Sequence, residues 1–128
     1  MTLRCVIVDD SPDVLRAASE LLGGQGMAVV GVAATGDEAV SLMEELQPDV
    51  MLVDVVLGSE SGFDLVRRLV ETPARAGTRS ILISTHDGAD FANLVAASPA
   101  IGFLPKSDLS ATAIHRLLAG AHDERSDD

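Results

Sequence analysis

Aromatic residues, basic residues and cysteine are all scarce in this chain of 128 residues. The aromatic residues are three Phe, with no Trp or Tyr, so the chain offers no platform on which nucleic-acid bases stack. Nine Lys and Arg face 20 Asp and Glu, and the resulting net charge of -11 opposes binding to nucleic acid or to an anionic membrane surface. The single cysteine, Cys5, cannot form an internal disulfide, and the sequence has no signal peptide and no apolar run of ~20 residues. We therefore expect a cytoplasmic protein that contacts cationic or neutral protein surfaces, with no direct nucleic-acid binding and no membrane association.

Aliphatic side chains, by contrast, are abundant. Hydrophobic residues make up 47% of the chain and the mean hydropathy is +0.28, so the chain can bury a core and is not a disordered acidic segment. Its length corresponds to one domain. We expect that domain at residues 1–121, followed at residues 122–128 by a charged tail without periodicity that is solvated and mobile.

Short apolar runs alternate with segments of helical periodicity along the whole domain. The runs are aliphatic and end in polar residues, which predicts buried strands at residues 3–8, 27–34, 50–53, 80–84 and 100–104. Apolar residues three and four apart predict helices at residues 12–22, 37–46, 62–70, 87–97 and 108–118. Because strands that alternate with helices form parallel sheets through right-handed crossovers, this pattern predicts a doubly wound, three-layer α/β fold.

The first helix carries signals at both of its ends. Ser11 is suited to cap the helix and Pro12 to occupy its first position, while Gly23 and Gly24 are expected to end it.

Three carboxylates follow the ends of two predicted strands. Asp9 and Asp10 come directly after the first strand and Asp54 directly after the third, and in a doubly wound sheet the carboxyl ends of the strands form the ligand site. If the two strands are neighbours, the charges converge, and two of them ~4 Å apart repel by roughly 4 kcal/mol at an effective dielectric constant near 20. A cation must offset that repulsion. No Cys or His accompanies the cluster, so an all-oxygen site for Mg²⁺, or alternatively Mn²⁺, is predicted, and such a site suits phosphoryl chemistry.

Two further strand ends carry polar groups. Lys106 follows the fifth strand and is the one Lys in a chain whose other eight basic residues are Arg. A compact ammonium group on a flexible stem can reach a phosphoryl oxygen in a crowded acidic pocket. Ser84 ends the fourth strand and offers a hydroxyl that can donate to an anion, although Ser is common at strand ends.

These strand-end residues together resemble the receiver domain of two-component response regulators, from about Leu3 to about Leu118. The resemblance implies a flavodoxin-like (βα)5 fold with a five-stranded parallel sheet of order 2-1-3-4-5, the order that is known for this family. It also implies roles for the residues at the strand ends. These roles are phospho-acceptor for Asp54, Mg²⁺ ligands for Asp9 and Asp10, switch hydroxyl for Ser84, and phosphoryl-binding cation for Lys106.

Further positions agree with the family pattern or depart from it. The resemblance implies that Val56 lends its backbone carbonyl to the metal and that Phe103 is the rotating aromatic residue of the switch, while Gly62 matches a glycine before the third helix. Gly58 stands where many members have Pro, which leaves the geometry of that loop open. Ser107 stands where many members have Pro after the Lys, and it is suited to cap the last helix.

The resemblance implies a signalling switch rather than an enzyme with turnover on a separate substrate. Asp54 would take a phosphoryl group from a sensor histidine kinase or a phosphotransfer protein, and the change would reshape the face made by the fourth helix, the fifth strand and the fifth helix. Val56 and His86 lie at positions that tune dephosphorylation, and because an apolar Val cannot orient an attacking water, we expect a long-lived phosphate. The output would come from a downstream protein effector if the receiver stands alone, from a fused output domain if the chain is a fragment of a longer regulator, or through a homodimer.

Two alternatives from other classes remain open. One is an unphosphorylated pseudo-receiver that acts as an interaction module, although all the key positions are filled. The other is a phosphotransferase of the haloacid-dehalogenase type, which requires two Asp residues spaced two apart. Asp9 and Asp10 are adjacent, so their side chains cannot point the same way along an extended chain.

Overall fold

The fold is a five-stranded parallel sheet with helices on both faces, here in a computed structural model that describes residues 2–72, 77–85 and 91–126. The order of strands in the sheet is β2-β1-β3-β6-β7, which is the expected order 2-1-3-4-5 with a small hairpin inserted after the third strand. The strands of the sheet are β1 (Arg4–Val8), β2 (Ala28–Ala33), β3 (Val50–Asp54), β6 (Arg79–Ser84) and β7 (Gly102–Pro105). The hairpin consists of β4 (Val56–Leu57) and β5 (Glu60–Ser61). The helices are α1 (Pro12–Gly24), α2 (Gly36–Leu46), α3 (Gly62–Glu71), α4 (Ala92–Ala97) and α5 (Ala111–Ser126).

Two hydrophobic clusters cover the two faces of the sheet. Successive residues of a strand point to opposite faces, so β1 sends Val6 and Val8 to one cluster and Cys5 and Ile7 to the other. The first cluster contains buried side chains of α2 and α3, and the second contains those of α1 and α5. The predicted three-layer architecture is therefore confirmed. Among the described residues, no helix combines the length and the apolar character needed to cross a membrane.

The first helix begins as predicted and ends later than predicted. Ser11 is the N-cap, its side chain accepts a hydrogen bond from the N–H of Val14, and Pro12 is the first helical residue. Gly23 and Gly24, however, lie inside the helix, because the left-handed conformation that stops it is taken by Gly26, at φ +93°.

The last helix begins later than predicted, and its cap is a different serine. Lys106–Asp108 form a 3-10 turn, and α5 starts at Ala111. Ser110, rather than Ser107, accepts the hydrogen bond from the N–H of Ala113, at 3.0 Å. At its other end α5 reaches Ser126, beyond the predicted end at residue 118, so the predicted tail at residues 122–128 begins within this helix and its residues 127–128 lie outside the described ones. The boundary after residue 121 stays a prediction.

The fourth helix and the hairpin also differ from the expected elements. The described part of the predicted helix at residues 87–97 is α4, and residues 86–90 lie outside the described residues. The β4–β5 hairpin was not predicted. It turns at Gly58 and Ser59, and Gly58 has φ +58°, the sign that Gly provides at the first position of a two-residue hairpin loop. Gly followed by Ser between short runs is the sequence signal for this turn.

Candidate functional site

The carboxyl ends of β1 and β3 bring the predicted acidic residues to one edge of the sheet. The two strands are hydrogen-bonded neighbours in parallel, with Val8 paired to Val53. Asp9 and Asp54, the residues that follow this pair, therefore lie side by side at the same edge, and Asp10 comes next to them. One carboxylate oxygen from each of the three residues lies within 4.8 Å of the others. The predicted convergence of the three side chains is thus present in the structure.

The three carboxylates differ in their exposure. Asp9 is 1% exposed and Asp54 is 7% exposed, whereas Asp10 lies at the surface. Asp9 Oδ1 accepts a hydrogen bond from the N–H of Ser11 at 2.9 Å, and Asp54 Oδ1 accepts one from the N–H of Val56 at 3.2 Å. Each of these side chains is thus oriented by the backbone two residues further on, which leaves its second oxygen for another partner.

Lys106 supplies that partner from the opposite side of the site. Its Nζ lies 2.6 Å from Asp9 Oδ2 and 3.1 Å from Asp54 Oδ2, and its side chain is 17% exposed. Lys106 begins the 3-10 turn directly after β7, and β6 lies between β7 and β3 in the sheet. The long side chain of Lys106 therefore extends across the end of β6 to reach the carboxylates. The ammonium group therefore offsets the repulsion between two buried carboxylates.

The pKa values of these groups reflect both burial and charge. Burial raises the pKa of Asp54 above its ordinary value, and the negative charge of Asp9 acts in the same direction, while hydrogen bonds from Val56 and Lys106 oppose them. For Lys106, burial lowers the pKa, but the close, negatively charged carboxylates of Asp9 and Asp54 outweigh burial, so that the pKa is raised. The lysine is therefore charged at neutral pH.

Ser84 and Phe103 occupy the neighbouring strands. Ser84 ends β6, is 3% exposed, and follows Ile83, which pairs with Asp54 across the sheet. Phe103 lies on β7 opposite Leu82, is partly buried, and packs against the first cluster. Its ring centroid is 6.1 Å from that of Phe91, just before α4, and that ring is 6.1 Å from the ring of Phe63 on α3. The three phenylalanines of the chain thus form one row beside the site.

Gly62 is required by a close approach of two backbone segments. Its N–H donates to the carbonyl of Val55 at 2.7 Å, and a Cβ on residue 62 would overlap the carbonyl of Asp54 and lie 2.8 Å from the Cα of Val55. Real Cβ atoms do not tolerate such contacts with backbone, so the glycine allows the start of α3 to pack directly against the end of β3. Glycine at position 62 therefore has a packing role, in agreement with its match to the glycine before the third helix in the family pattern.

Two departures from the family pattern have a structural explanation, and one expected position cannot be compared. At φ +58°, residue 58 has a backbone conformation that Pro cannot adopt, so Gly58 and the hairpin go together. Ser107 lies within the 3-10 turn, and the described peptide bonds contain no cis isomer. His86 lies outside the described residues.

One contact of the site was missed by sequence reasoning. Glu60, on β5, accepts a hydrogen bond from the N–H of Gly36 at 3.0 Å, through its Oε1. Gly36 is the first residue of α2, 24 positions earlier in the chain. The acidic residue near the hairpin turn and the glycine after the capping Thr35 were both visible, but nothing in the sequence paired them.

The residues present fit a hard divalent cation. The buried Asp9 Oδ2 has no hydrogen bond of good geometry, although Lys106 Nζ is 2.6 Å away, so their contact is ionic and the oxygen keeps lone pairs for another cation. All donors in the cluster are carboxylate oxygens. Mg²⁺ prefers such oxygen ligands, whereas zinc sites in proteins usually contain nitrogen or sulfur ligands. In addition, Val56 is 58% exposed and lies at the rim of the cluster, beside Asp54.

Comparisons with known proteins agree with this geometry. A sequence model described as "Response regulator receiver domain" matches residues 5–118. Over 109 residues the chain is 33% identical to "Protein-glutamate methylesterase/protein-glutamine glutaminase 1" of Vibrio vulnificus (strain YJ016), which covers 83% of this chain and 28% of that protein. Over 108 residues it is 35% identical to the protein of the same name from Shewanella denitrificans, covering 83% of this chain and 27% of the other. The chain thus spans little more than a quarter of the length of these relatives.

Solved structures give the same result. A two-component response regulator of the LuxR family from Aurantimonas sp. SI85-9A1 is 30% identical, with a TM-score of 0.82, and the match covers 94% of this chain and 87% of that chain. The response regulator domain of Thermotoga maritima CheB is 27% identical, with a TM-score of 0.72, and covers 98% of this chain and 96% of that one.

Proposed function

The chain belongs to the response regulator receiver domain family, and from this premise we propose that it is a phosphorylation-activated switch in which Asp54 is the phospho-acceptor. The observation that carries the proposal is the contact of Lys106 Nζ with Asp9 and Asp54 at the edge where three carboxylates meet. A merely structural acidic loop would turn its charges into water, whereas here two of the three are buried.

In the proposed reaction, a carboxylate oxygen of Asp54 attacks the phosphorus of a phosphohistidine or of a small phosphodonor in line. The new P–O bond forms as the P–N bond to the donor imidazole breaks, or, with a small donor such as acetyl phosphate, as the P–O bond to the departing carboxylate breaks. The product in both cases is an acyl phosphate on Asp54. The hydrogen bond from Val56 to Asp54 Oδ1 holds the carboxylate so that Oδ2 faces Lys106. The chain therefore contributes positioning and electrostatics rather than covalent chemistry of its own.

We assign the cation site to Mg²⁺, with Mn²⁺ as a substitute, and its ligands to Asp9, Asp10, Asp54 and the backbone carbonyl of Val56. The bound ion supplies positive charge to the phosphoryl oxygens during transfer. Lys106 supplies a second positive charge from within the protein, and its raised pKa keeps that charge in place at neutral pH. Among the described residues, Lys106 contacts Asp9 and Asp54 but no ion pair is found for Asp10, which supports a requirement for a further cation at the cluster.

The proposed switch starts with Ser84 and Lys106 and ends at the face formed by α4, β7 and α5. Phosphorylation adds charge and acceptor oxygens at Asp54, which Ser84 and Lys106 bind when their loops move inward. Phe103 then fills the space beside β6, and its ring contact with Phe91 transmits the change to the start of α4. A shift from 1:99 to 99:1 between the two states requires ~5.5 kcal/mol of difference in their interaction with the phosphate.

In this proposal, the phosphodonor is a sensor histidine kinase or a phosphotransfer protein. The phosphorylated domain then acts on a downstream protein effector, on a fused output domain or on a second copy of the chain. The proposed location is the cytoplasm. We do not propose methylesterase activity for this domain, because the match covers about 28% of the length of the relatives that bear that name. We propose that the domain described here has no turnover on a separate substrate.

Incubation with acetyl phosphate and Mg²⁺, followed by intact mass measurement, tests the proposal. One adduct of about +80 Da, the mass of a single phosphoryl group, is expected in the wild type and not in Asp54→Asn or after chelation with EDTA. An unmodified wild type would favour the pseudo-receiver alternative within the same family. The haloacid-dehalogenase alternative does not agree with the family match.

A further inference from the structure

The β4–β5 hairpin carries the backbone that follows Asp54, and it is too short to hold its own position. Each strand has two residues, with Val56 paired to Ser61 and Leu57 to Glu60. A two-stranded hairpin is marginal by itself in water. Leu57 anchors the inner strand because it is only 3% exposed, and Gly62 anchors the end of β5 through its hydrogen bond to the carbonyl of Val55. The outer corner of the hairpin, at Glu60, is the part that a further attachment would fix.

Glu60 provides that attachment at the first turn of α2. Its Oε1 accepts the N–H of Gly36 at 3.0 Å, at a helix terminus whose free amides and dipole favour a carboxylate. Residue 36 is buried, and a Cβ there would overlap Oε2 of Glu60. The carboxylate thus occupies space that any residue other than glycine would fill.

The first turn of α2 is held in place by contacts that do not involve Glu60. The side chain of Thr35 accepts from the N–H of Glu38, whose own carboxylate accepts from the N–H of Ala34 at 2.8 Å. These two contacts resemble a capping box, with the N–H of the residue before the cap in place of the cap's own N–H. An ion pair between Asp37 and Arg68 joins the same turn to α3. Glu60 therefore ties the hairpin to a turn that is already held from two other sides.

We propose that Glu60 is a positioning residue of the phosphoryl-transfer site, which holds β5 on α2 and thereby fixes the backbone of Val56 beside Asp54. The inference rests on the proposed function, in which the Val56 carbonyl serves the divalent ion. The contact needs an acceptor oxygen rather than a charge, because its donor is a backbone amide. Glutamine retains such an oxygen, and alanine does not.

The test is a titration of the ¹⁵N-labelled protein with Mg²⁺, followed through the amide resonances of Asp9, Asp10, Asp54 and Val56. Residues that orient metal ligands typically change metal affinity ~10- to 100-fold, and Glu60 acts through several backbone bonds, so Glu60→Ala is expected to raise the Kd about threefold to tenfold. Glu60→Gln should remain within about twofold of the wild type, because its amide oxygen can still accept from Gly36.

Glu45→Ala is the matched control, since it removes one negative charge at an exposed position of α2. An equal Kd for Glu60→Ala and Glu45→Ala would overturn the inference, as would a Kd for Glu60→Gln as weak as that for Glu60→Ala. A lower Tm for Glu60→Ala with an unchanged Kd would show a structural role alone and would also overturn it. A wild type whose four resonances do not respond to Mg²⁺ would instead contradict the proposed function itself.

A second variant tests the same contact from its other side. Gly36→Ala places a methyl group where the carboxylate of Glu60 lies, so it should displace that carboxylate, break its hydrogen bond to residue 36 and weaken Mg²⁺ binding to a similar extent. Because both changes break one contact, the double variant Gly36→Ala/Glu60→Ala should bind Mg²⁺ about as well as Glu60→Ala alone. Additive losses would contradict a shared contact.

Discussion

Replacing Asp54 by asparagine is expected to make the metal-free protein more stable at pH 7, although it removes the proposed acceptor. Oxygens of Asp9, Asp10 and Asp54 lie within 4.8 Å of one another, and one pair at that distance repels by roughly 3.5 kcal/mol at an effective dielectric constant of 20. The substitution removes this repulsion from the buried Asp9 and a weaker one, roughly 1 kcal/mol after screening by solvent, from the exposed Asp10. It loses the attraction to Lys106 Nζ at 3.1 Å, which is roughly 5.4 kcal/mol on the same scale.

The attraction and the repulsions nearly cancel, so the burial of the Asp54 charge decides the sign of the effect. Burial raises the pKa of Asp54, and a neutral amide avoids the cost of a buried charge, so the variant is expected to be more stable by about 1–2 kcal/mol, or about 3–10 °C in Tm for a domain of this size. Asparagine keeps an oxygen that can accept the N–H of Val56, so the local backbone contact survives the change. Glu45→Gln, at an exposed position of α2, is the control for the loss of one negative charge from an acidic protein, and it should change the stability by less than about 0.5 kcal/mol.

The pH dependence follows from the raised pKa of Asp54, whose largest cause is burial. A carboxyl group whose pKa is raised on folding contributes stability that is fully present below its unfolded pKa and is lost as the pH rises through its folded pKa. The wild type should therefore lose stability relative to Asp54→Asn as the pH rises above about 4, the ordinary pKa of an aspartate. Near pH 4 the two proteins should converge.

Urea denaturation in EDTA, at several values between pH 4 and pH 8, measures this difference. Added Mg²⁺ should then stabilise the wild type, by about 2.7 kcal/mol at a concentration 100 times its Kd, and have little effect on the variant. A variant that is less stable than the wild type at pH 7 without metal, or a difference independent of pH, would refute the electrostatic reasoning.

Three further substitutions have defined outcomes. Lys106→Gln removes the ammonium group that lies 2.6 Å from Asp9, a residue that is 1% exposed. The free energy of unfolding of the metal-free protein, measured by urea denaturation, should therefore fall by about 3 kcal/mol, and an unchanged midpoint would contradict this. Gly62→Ala places a Cβ against the carbonyl of Asp54 and should lower stability by about 2 kcal/mol or more, with loss of the +80 Da adduct, roughly one phosphoryl group in mass. Val56→Asn offers an amide that can orient water at an exposed position, so the adduct should decay faster than in the wild type once the phosphodonor is removed; equal half-lives would argue against a role for Val56 in the lifetime of the phosphate.

The layered fold could be predicted because its signals are local. Buried parallel strands are continuous apolar runs, and residues such as Val50 and Leu52 reveal them without knowledge of their neighbours. The ends of the helices were harder to predict, because several residues in each region could cap or stop the helix and only one of them does. Ser107 and Ser110 are both suitable caps by type, and Gly24 and Gly26 are both suitable stops, so the choice depends on the three-dimensional path of the chain.

The candidate site also has a part that could be predicted from the sequence and a part that could not. Asp9, Asp10 and Asp54 follow strands that parallel pairing brings together, so their convergence could be deduced from position in the sequence. The contact of Glu60 with Gly36 could not, because it joins a hairpin to a helix terminus through one hydrogen bond between residues far apart in the chain. No periodicity or spacing encodes such a pair.

A crystal structure of the protein grown with Mg²⁺ and beryllium fluoride, which mimics a phosphoryl group on a carboxylate, tests the central claim most directly. The account predicts a single Mg²⁺ held by the acidic cluster and the Val56 carbonyl, and beryllium fluoride on an oxygen of Asp54 within hydrogen-bond distance of Ser84 and Lys106. Beryllium fluoride on another residue, or a metal ion bound away from Asp54, would contradict it.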